Sequence, residues 1–158
     1  MEMKKRLLTY LVLVITLIGD LLTKFLIKNK NIIIINNFLT FTYTKNTGAA
    51  WSLLAGRRFF LIIISVLFLG LIIYYSFKFK NNKRNNIAFG LIIGGLLGNL
   101  FDRIFYGYVR DFISLKFGNY YYPIFNVADI AIVISIILII IAIIKKEDDY
   151  GKDYSKRI

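Results

Sequence analysis

The sequence predicts an all-α membrane protein with a small β element. The first observation is composition: 58% of the 158 residues are hydrophobic, and the mean hydropathy is +0.64, well above the average of soluble domains. The second is arrangement, because four apolar runs of about the length that crosses a bilayer alternate with polar, basic segments. At this length, residues 1–158 are expected to form a single membrane domain.

The four predicted transmembrane helices cover about 7–27, 59–77, 87–103 and 125–144. Basic residues precede the first run, as in a cleaved signal peptide. We expect this segment to be retained, because its apolar run is too long for a signal peptide and contains Asp20. The third run is rich in glycine, and small residues at such spacing let helices approach closely in lipid.

A β region is predicted between the first two helices, over about 31–56. Asn31–Asn36 and Phe38–Tyr43 are interpreted as short strands, the second alternating apolar residues with Thr. We expect a small sheet that lies on the membrane surface, with Trp51 at the level of the lipid headgroups. The segment 104–124 is interpreted as a loop on the same side.

The distribution of basic residues predicts the orientation. Four spans place both termini on one side, where the terminal segments and the loop 78–86 carry 12 Lys and Arg in 29 residues. The other side carries 8 in 52 residues. The denser side should be cytoplasmic, so the sheet and the loop 104–124 should be extracytoplasmic. The net charge of +12 is explained by this bias, and no nucleic-acid-binding motif accompanies it.

Acidic residues are scarce in the membrane part of the chain. Between Met3 and Lys146 the only ones are Asp20, Asp102, Asp111 and Asp129. The chain has no Cys and no His, which excludes Cys-His and Ser-His-Asp nucleophiles and argues against a zinc site. Carboxylates in or beside membrane helices usually mark functional sites. We therefore interpret Asp111 and Asp129 as a catalytic pair.

Polar residues of three helices are predicted to meet at one depth. Counted from the cytoplasmic helix ends, Asp20 lies about 20 Å, Asn99 about 18 Å and Asp129 about 22 Å across the membrane. In a hydrocarbon core of about 30 Å, all three fall in the outer leaflet. Asp102 lies one turn beyond Asn99 on the same helix face.

Five short motifs contain these residues and occur in order along the chain. They are Asp20-Leu-Leu-Thr-Lys24, Asn46-Thr-Gly-Ala-Ala-Trp51, Gly94-Gly-Leu-Leu-Gly-Asn99-Leu-Phe-Asp102-Arg103, Gly107-Tyr-Val-Arg-Asp111-Phe112 and Pro123-Ile-Phe-Asn126-Val-Ala-Asp129. On these motifs the chain resembles the lipoprotein signal peptidases (signal peptidase II), intramembrane aspartic endopeptidases of bacteria. Arg110 departs from the pattern, since a Val is common there, and places an extra positive charge beside Asp111.

The resemblance implies that Asp111 and Asp129 form the catalytic dyad. It implies a further set of residues that bind substrate or brace the site, namely Asp20, Lys24, Asn46, Gly48, Asn99, Asp102, Arg103, Asn126 and Ala128. The implied substrate is a prolipoprotein that carries diacylglycerol on the Cys after the cleavage point. The implied location is the bacterial cytoplasmic (inner) membrane, with the active site on the outer side. Globomycin-type inhibitors, surrounding phospholipid and a monomeric state complete the expectation, with no cofactor or metal.

Several residues have more than one interpretation. Lys24 could pair with Asp20 at i,i+4, or extend to the outer headgroups. Asp20 could hydrogen-bond the substrate backbone or position the dyad. Asp102 and Arg103 fit a structural polar network better than a catalytic one. Asn126 is a natural N-cap of the fourth helix. Three other cations are interpreted as headgroup contacts: Lys45, Arg57 and Arg58.

The chemistry of two close carboxylates suits amide hydrolysis. Such a pair can share one proton, because two negative charges at short range are costly. One member then activates water and the other hydrogen-bonds the scissile carbonyl. A small transporter or channel is the main alternative, since intramembrane carboxylates also mark ion paths, and a non-catalytic chaperone is a second. The absence of comparable polar groups in the cytoplasmic half of the helices argues against a path.

Overall fold

The computed structural model describes residues 6–49 and 53–148. Trp51, which was predicted at the headgroup level, lies outside the described residues, as do most residues of the two terminal segments. Within the described part, four helices are long and apolar enough to cross a membrane. They are α1 (Leu7–Ile27), α2 (Arg58–Ser76), α3 (Lys83–Phe105) and α4 (Val127–Ile144). The predicted mostly helical class with four apolar helices is therefore confirmed.

Helix α3 lies at the centre of the helical layer. In its most apolar stretch 61% of residues are buried, against 11–22% in the other three helices. Its glycines allow this, since a Cβ at Gly95 would lie 2.7 Å from the Ala128 carbonyl oxygen, and one at Gly98 would overlap Asp20. The predicted close approach at these glycines is thus confirmed, towards α4 and α1 respectively. The helix begins earlier than predicted, because the Asn82 side chain accepts a hydrogen bond from the Asn85 amide at 2.9 Å.

The sheet is larger than predicted. It has four antiparallel strands in the order β1-β2-β3-β4, namely β1 (Asn31–Ile35), β2 (Leu39–Asn46), β3 (Val109–Phe117) and β4 (Tyr120–Tyr121). The interpretation of 104–124 as a loop, with a sheet formed only between the first two helices, was wrong. Charged residues are rare in strands, so Arg110 and Asp111 concealed β3. Both side chains are hydrogen-bonded to residues outside this strand, and no local sequence pattern shows those partners.

Strand β2 also runs further than the predicted end at Tyr43. Its register pairs Thr44 with Asp111 and Asn46 with Val109, after an irregularity between Phe41 and Thr44. This extension places Asn46 beside Asp111, although 65 residues separate the two in the chain. The sheet therefore brings the second motif, which contains Asn46, next to the fourth motif, which contains Asp111.

Candidate active site

A cavity of about 290 Å³ lies between the sheet and the helices, and both Asp111 and Asp129 line it. Asn46, Asn99 and Arg103 contribute its other polar groups. Its remaining lining is mainly apolar: Ala49, Val109, Tyr122, Pro123, Ile124, Phe125, Ile132 and Val133. The structure thus brings both predicted dyad members, from a strand and a helix, to one cavity.

The first turn of α4 positions Asp129. Asn126 has extended backbone and caps the helix, and its side-chain oxygen accepts a hydrogen bond from the Asp129 amide at 3.0 Å. In return, Asp129 Oδ2 accepts from the Asn126 amide at 3.1 Å. This reciprocal pair is a capping box, which satisfies two helix-end amides and fixes the carboxylate. The predicted N-cap role of Asn126 is confirmed.

Two amide side chains hold Asp111. Asn46 Nδ2 donates to Oδ2 at 2.9 Å, and Asn126 Nδ2 donates to Oδ1 at 2.7 Å. Burial raises the pKa of Asp111 from 3.8 to about 6, and the nearby Asp129 adds to the rise, while the two amide hydrogen bonds oppose it. A carboxyl group in this state can keep a proton well above the pH at which an ordinary aspartate loses it.

Asn99 completes the connection between the two carboxylates. Its Nδ2 donates to Asp129 Oδ1 at 2.8 Å, and its oxygen accepts from Asn126 Nδ2 at 3.0 Å. The two aspartates are therefore linked through two neutral amides, as Asp129–Asn99–Asn126–Asp111. Lys24 Nζ donates to the same Asn99 oxygen at 3.0 Å. Asn99 and Asp129, which the depth count placed together, are thus hydrogen-bonded, and α1 contributes Lys24 rather than Asp20 to this contact.

A second polar group, here called the ionic cluster, consists of Asp20, Lys24, Asp102 and Arg110. Lys24 Nζ lies 2.7 Å from Asp20 and 3.2 Å from Asp102, and all three side chains are fully buried. The i,i+4 pairing of Lys24 is confirmed, and its alternative extension to the headgroups was wrong. Asp20 is closed off from the cavity and accepts from the Ala128 amide at 2.9 Å, which favours positioning over substrate contact.

Two arginines have partners that the sequence did not reveal. Arg110 pairs with Asp102 at 2.7 Å and does not form an ion pair with Asp111 among the described residues. Arg58 was interpreted as a headgroup contact, but its Nε donates to the Arg103 carbonyl at 2.9 Å and its Nη2 to the Ile104 carbonyl at 2.8 Å. It thereby satisfies carbonyl groups at the end of α3. Successive side chains of a strand point to opposite faces of the sheet, so recognising β3 would have shown that Arg110 points away from Asp111.

Arg103 and Gly48 also contact each other. Arg103 Nη2 donates to the Gly48 carbonyl at 3.0 Å, and the Gly48 amide donates to Asn46 Oδ1 at 2.9 Å. Asp102 and Arg103, although adjacent, do not pair: the first joins the ionic cluster and the second lines the cavity. Within residues 6–49 and 53–148, no group of three or more His, Cys, Asp or Glu could hold a metal ion.

An apolar cavity of about 380 Å³ adjoins the first one at Asp129. The two cavities share Tyr122, Phe125, Asp129 and Val133. The second is otherwise lined by Leu115, Phe117, Ile130 and Ile134. Asp129 therefore lies between a cavity with polar groups and a mainly apolar one.

Comparisons with known proteins agree with the sequence motifs. Proteins named lipoprotein signal peptidase from Clostridium acetobutylicum and Listeria monocytogenes serotype 4a are similar to this chain. The first is 43% identical over 145 residues, covering 87% of this chain and 94% of that protein. The second is 39% identical over 138 residues, covering 84% of this chain and 90% of that protein.

Solved structures show the same likeness. A bacterial membrane enzyme determined by the in meso method at 2.3 Å matches with a TM-score of 0.80 and 37% identity over 87% of this chain and 88% of that one. A second, at 1.9 Å, has a TM-score of 0.77 and 37% identity over 87% and 92%. The family described as signal peptidase (SPase) II matches residues 12–145. The chain therefore belongs to the signal peptidase II family.

Proposed function

We propose that this protein is an aspartic endopeptidase in which Asp111 and Asp129 activate water. Its family supports the coarser statement, that it is a membrane protease acting on the signal peptides of prolipoproteins. One observation carries the finer proposal: the two carboxylates line one cavity and are linked through neutral amides. Two carboxylates in this arrangement can share one proton. A carboxylate that is paired with a fixed cation takes part in such sharing less readily.

The proposed reaction begins with Asp111 protonated and Asp129 ionised. Asp129 takes a proton from a water molecule as the water oxygen attacks the scissile carbonyl carbon. Asp111 gives its proton to the carbonyl oxygen, so a neutral tetrahedral intermediate forms. When the C–N bond breaks, Asp129 protonates the leaving nitrogen and Asp111 recovers its proton from the intermediate hydroxyl. Substrate that excludes water from the cavity should strengthen the preference for one shared negative charge.

The proposed substrate is a prolipoprotein whose Cys carries diacylglycerol, cut on the amino side of that Cys. The apolar cavity beside Asp129 supports a lipid-bearing substrate, because it offers apolar surface next to the reacting group. The remaining site residues bind substrate or brace the dyad: Asp20, Lys24, Asn46, Gly48, Asn99, Asp102, Arg103, Asn126 and Ala128. We place the enzyme in the bacterial inner membrane as a monomer among phospholipids, with its site on the outer side, and expect globomycin-type compounds to block it.

The test is cleavage of a purified diacylglyceryl prolipoprotein by the wild type and by Asp111→Asn and Asp129→Asn, with EDTA present throughout. Each substitution should lower turnover by about 10²–10⁴-fold, because each removes one acid–base group. Substrate binding and the melting temperature should be retained, and EDTA should have no effect. Full activity of either variant would show that the dyad is assigned wrongly.

The transporter alternative receives no support. Asp20 and Asp102, which would be stations on an ion path, are fully buried and paired with Lys24. The family that the chain belongs to is one of proteases. Flux of protons or ions across liposomes containing the protein should therefore equal the flux across empty liposomes.

A further inference from the structure

We propose that Arg110 is a positioning residue that acts through Asp102 to hold Asp111 opposite Asp129, an inference that rests on the proposed function of this pair. Arg110 directly precedes Asp111 on β3, and successive strand side chains point to opposite faces of a sheet. Asp111 lines the cavity, whereas only 4% of Arg110 is exposed. Arg110 therefore cannot serve as a surface charge or as a direct participant in the cavity.

Asp102 holds Arg110 by its backbone and by its side chain. Asp102 Oδ2 accepts the Arg110 backbone amide at 2.9 Å, while Oδ1 accepts Nε at 3.0 Å and Nη2 at 2.7 Å. The ring of Tyr106 lies 4.4 Å from the guanidinium carbon and packs against it. Because Asp102 belongs to α3, these bonds tie β3 to the central helix one residue before Asp111.

The other dyad member is held in the same way. Asp20 Oδ1 accepts the amide of Ala128, the residue before Asp129, at 2.9 Å. The Lys24 ammonium then joins the two buried carboxylates, at 2.7 Å from Asp20 and 3.2 Å from Asp102. Each catalytic aspartate therefore follows a residue whose backbone amide is bound to a buried carboxylate, and one cation links the two attachments.

The charge of Arg110 makes this arrangement possible. Asp20 and Asp102 with Lys24 alone would leave a net negative charge among fully buried side chains, which is costly. Arg110 makes the cluster of four neutral. Without it, Lys24 should shift towards Asp102 and weaken its 3.0 Å bond to the Asn99 oxygen. Asn99 in turn donates to Asp129, so both dyad members should move.

The experiment compares Arg110→Met and Arg110→Lys in the full chain, reconstituted in lipid, on a synthetic diacylglyceryl peptide with a prolipoprotein cleavage sequence. Arg110→Met should lower kcat by about 100-fold, the effect expected of a misplacement of about 1 Å. KM should stay within about threefold, because substrate contacts remain. Arg110→Lys keeps the positive charge but lacks the planar guanidinium group, so its kcat should be about tenfold higher than that of Arg110→Met.

Lys45→Met is the matched control. Lys45 lies opposite Arg110 in the β2–β3 register, but its ammonium packs over the Tyr108 ring at 5.2 Å and is not part of the ionic cluster. This variant should keep the wild-type kcat. A wild-type kcat in Arg110→Met, or an equal loss in Lys45→Met, would overturn the proposal. If Arg110→Met does not fold, Arg110→Lys decides, since a wild-type kcat in that variant would equally overturn it.

Amide hydrogen exchange supplies a readout that needs no cleavage. Exchange in the peptide covering Val109–Phe117 should accelerate in the Arg110 variants and remain at the wild-type rate in Lys45→Met. Unchanged exchange in every variant would refute the attachment through Asp102. If the wild type does not cleave the peptide while exchange responds as expected, the proposed substrate is wrong and the structural attachment stands.

Discussion

Four aspartates at the junction of the helices and the sheet fall into two groups with different partners. Asp20 and Asp102 belong to the ionic cluster, fully buried and paired with Lys24 and Arg110. Asp111 and Asp129 line the cavity, and their oxygens accept from the side chains of Asn46, Asn99 and Asn126 and from one backbone amide. No ion pair reaches either of the cavity aspartates within the part of the chain that the structure describes.

The difference shows how one residue type can serve two purposes. A cation paired with a buried carboxylate offsets its charge and holds it in one position. A neutral amide fixes the direction of a carboxyl oxygen without adding a full charge, so the proton count of the pair can change. The cation-bound aspartates are therefore suited to holding backbone, and the amide-bound ones to acid–base chemistry.

Removing the shared cation is expected to have the largest effect on stability. Lys24→Met should lower the free energy of unfolding by about 3–5 kcal/mol, because it leaves two buried carboxylates with one cation. Denaturant titration in detergent measures the change, with the exposed Lys28→Met as the control. Equal stability of the two variants would show that the ionic cluster contributes nothing to the fold.

Adding a methyl group beside the ionic cluster should lower the stability by less than the loss of Lys24. A Cβ at Gly98 would overlap Asp20 Oδ2, so Gly98→Ala should lower the free energy of unfolding by about 1–3 kcal/mol. Gly70→Ala is the control, since its Cβ would meet nothing within 4 Å. That control should gain up to about 1 kcal/mol from helix propensity. The thermal midpoints of the two variants should thus move in opposite directions.

The amide-bound group can be tested at Asn126, which has two separable roles. Asn126→Ala removes the cap, whereas Asn126→Ser keeps a capping oxygen, so Asn126→Ala should be about 1 kcal/mol less stable than Asn126→Ser. Both substitutions remove the donor to Asp111 and to Asn99. Cleavage should therefore fall in both variants, whereas stability should fall further in Asn126→Ala than in Asn126→Ser. Full activity of Asn126→Ser would show that the amide donor is dispensable.

The amide-bound group should also make stability and cleavage depend on pH. Because the pKa of Asp111 is raised from 3.8 to about 6, the native carboxyl stays protonated at pH values where the unfolded chain has already lost that proton. Raising the pH through this window removes the proton, so the stability that it contributes is lost. In the free enzyme kcat/KM should fall on the basic side near the same pH.

The Asp129→Asn variant tests the cause of that shift. It removes the negative charge that helps to raise the pKa of Asp111, so the pKa should move down, towards 3.8. Infrared spectroscopy of the protonated carboxyl band, followed against pH, measures this directly. A pKa that stays at about 6 in Asp129→Asn would show that burial alone causes the shift.

Local sequence determined the helical part of this protein. Long apolar runs can satisfy their backbone polar groups in a membrane only as helices, so all four helices were predictable. Asn126 was recognisable as an N-cap because capping depends on neighbouring residues alone. The rise per residue of a helix also sufficed to predict that Asn99 and Asp129 lie at one depth, and they are hydrogen-bonded.

Only the tertiary structure decided the identity of the charge partners. Strand β3 contains Arg110 and Asp111, which oppose strand formation locally, and its pairing with β2 depends on residues far away in the chain. Lys24 had two plausible positions until Asp102, on another helix, supplied a second carboxylate. Buried ion pairs and cross-strand bonds join residues that share no local pattern, so their energies appear only once the chain has folded.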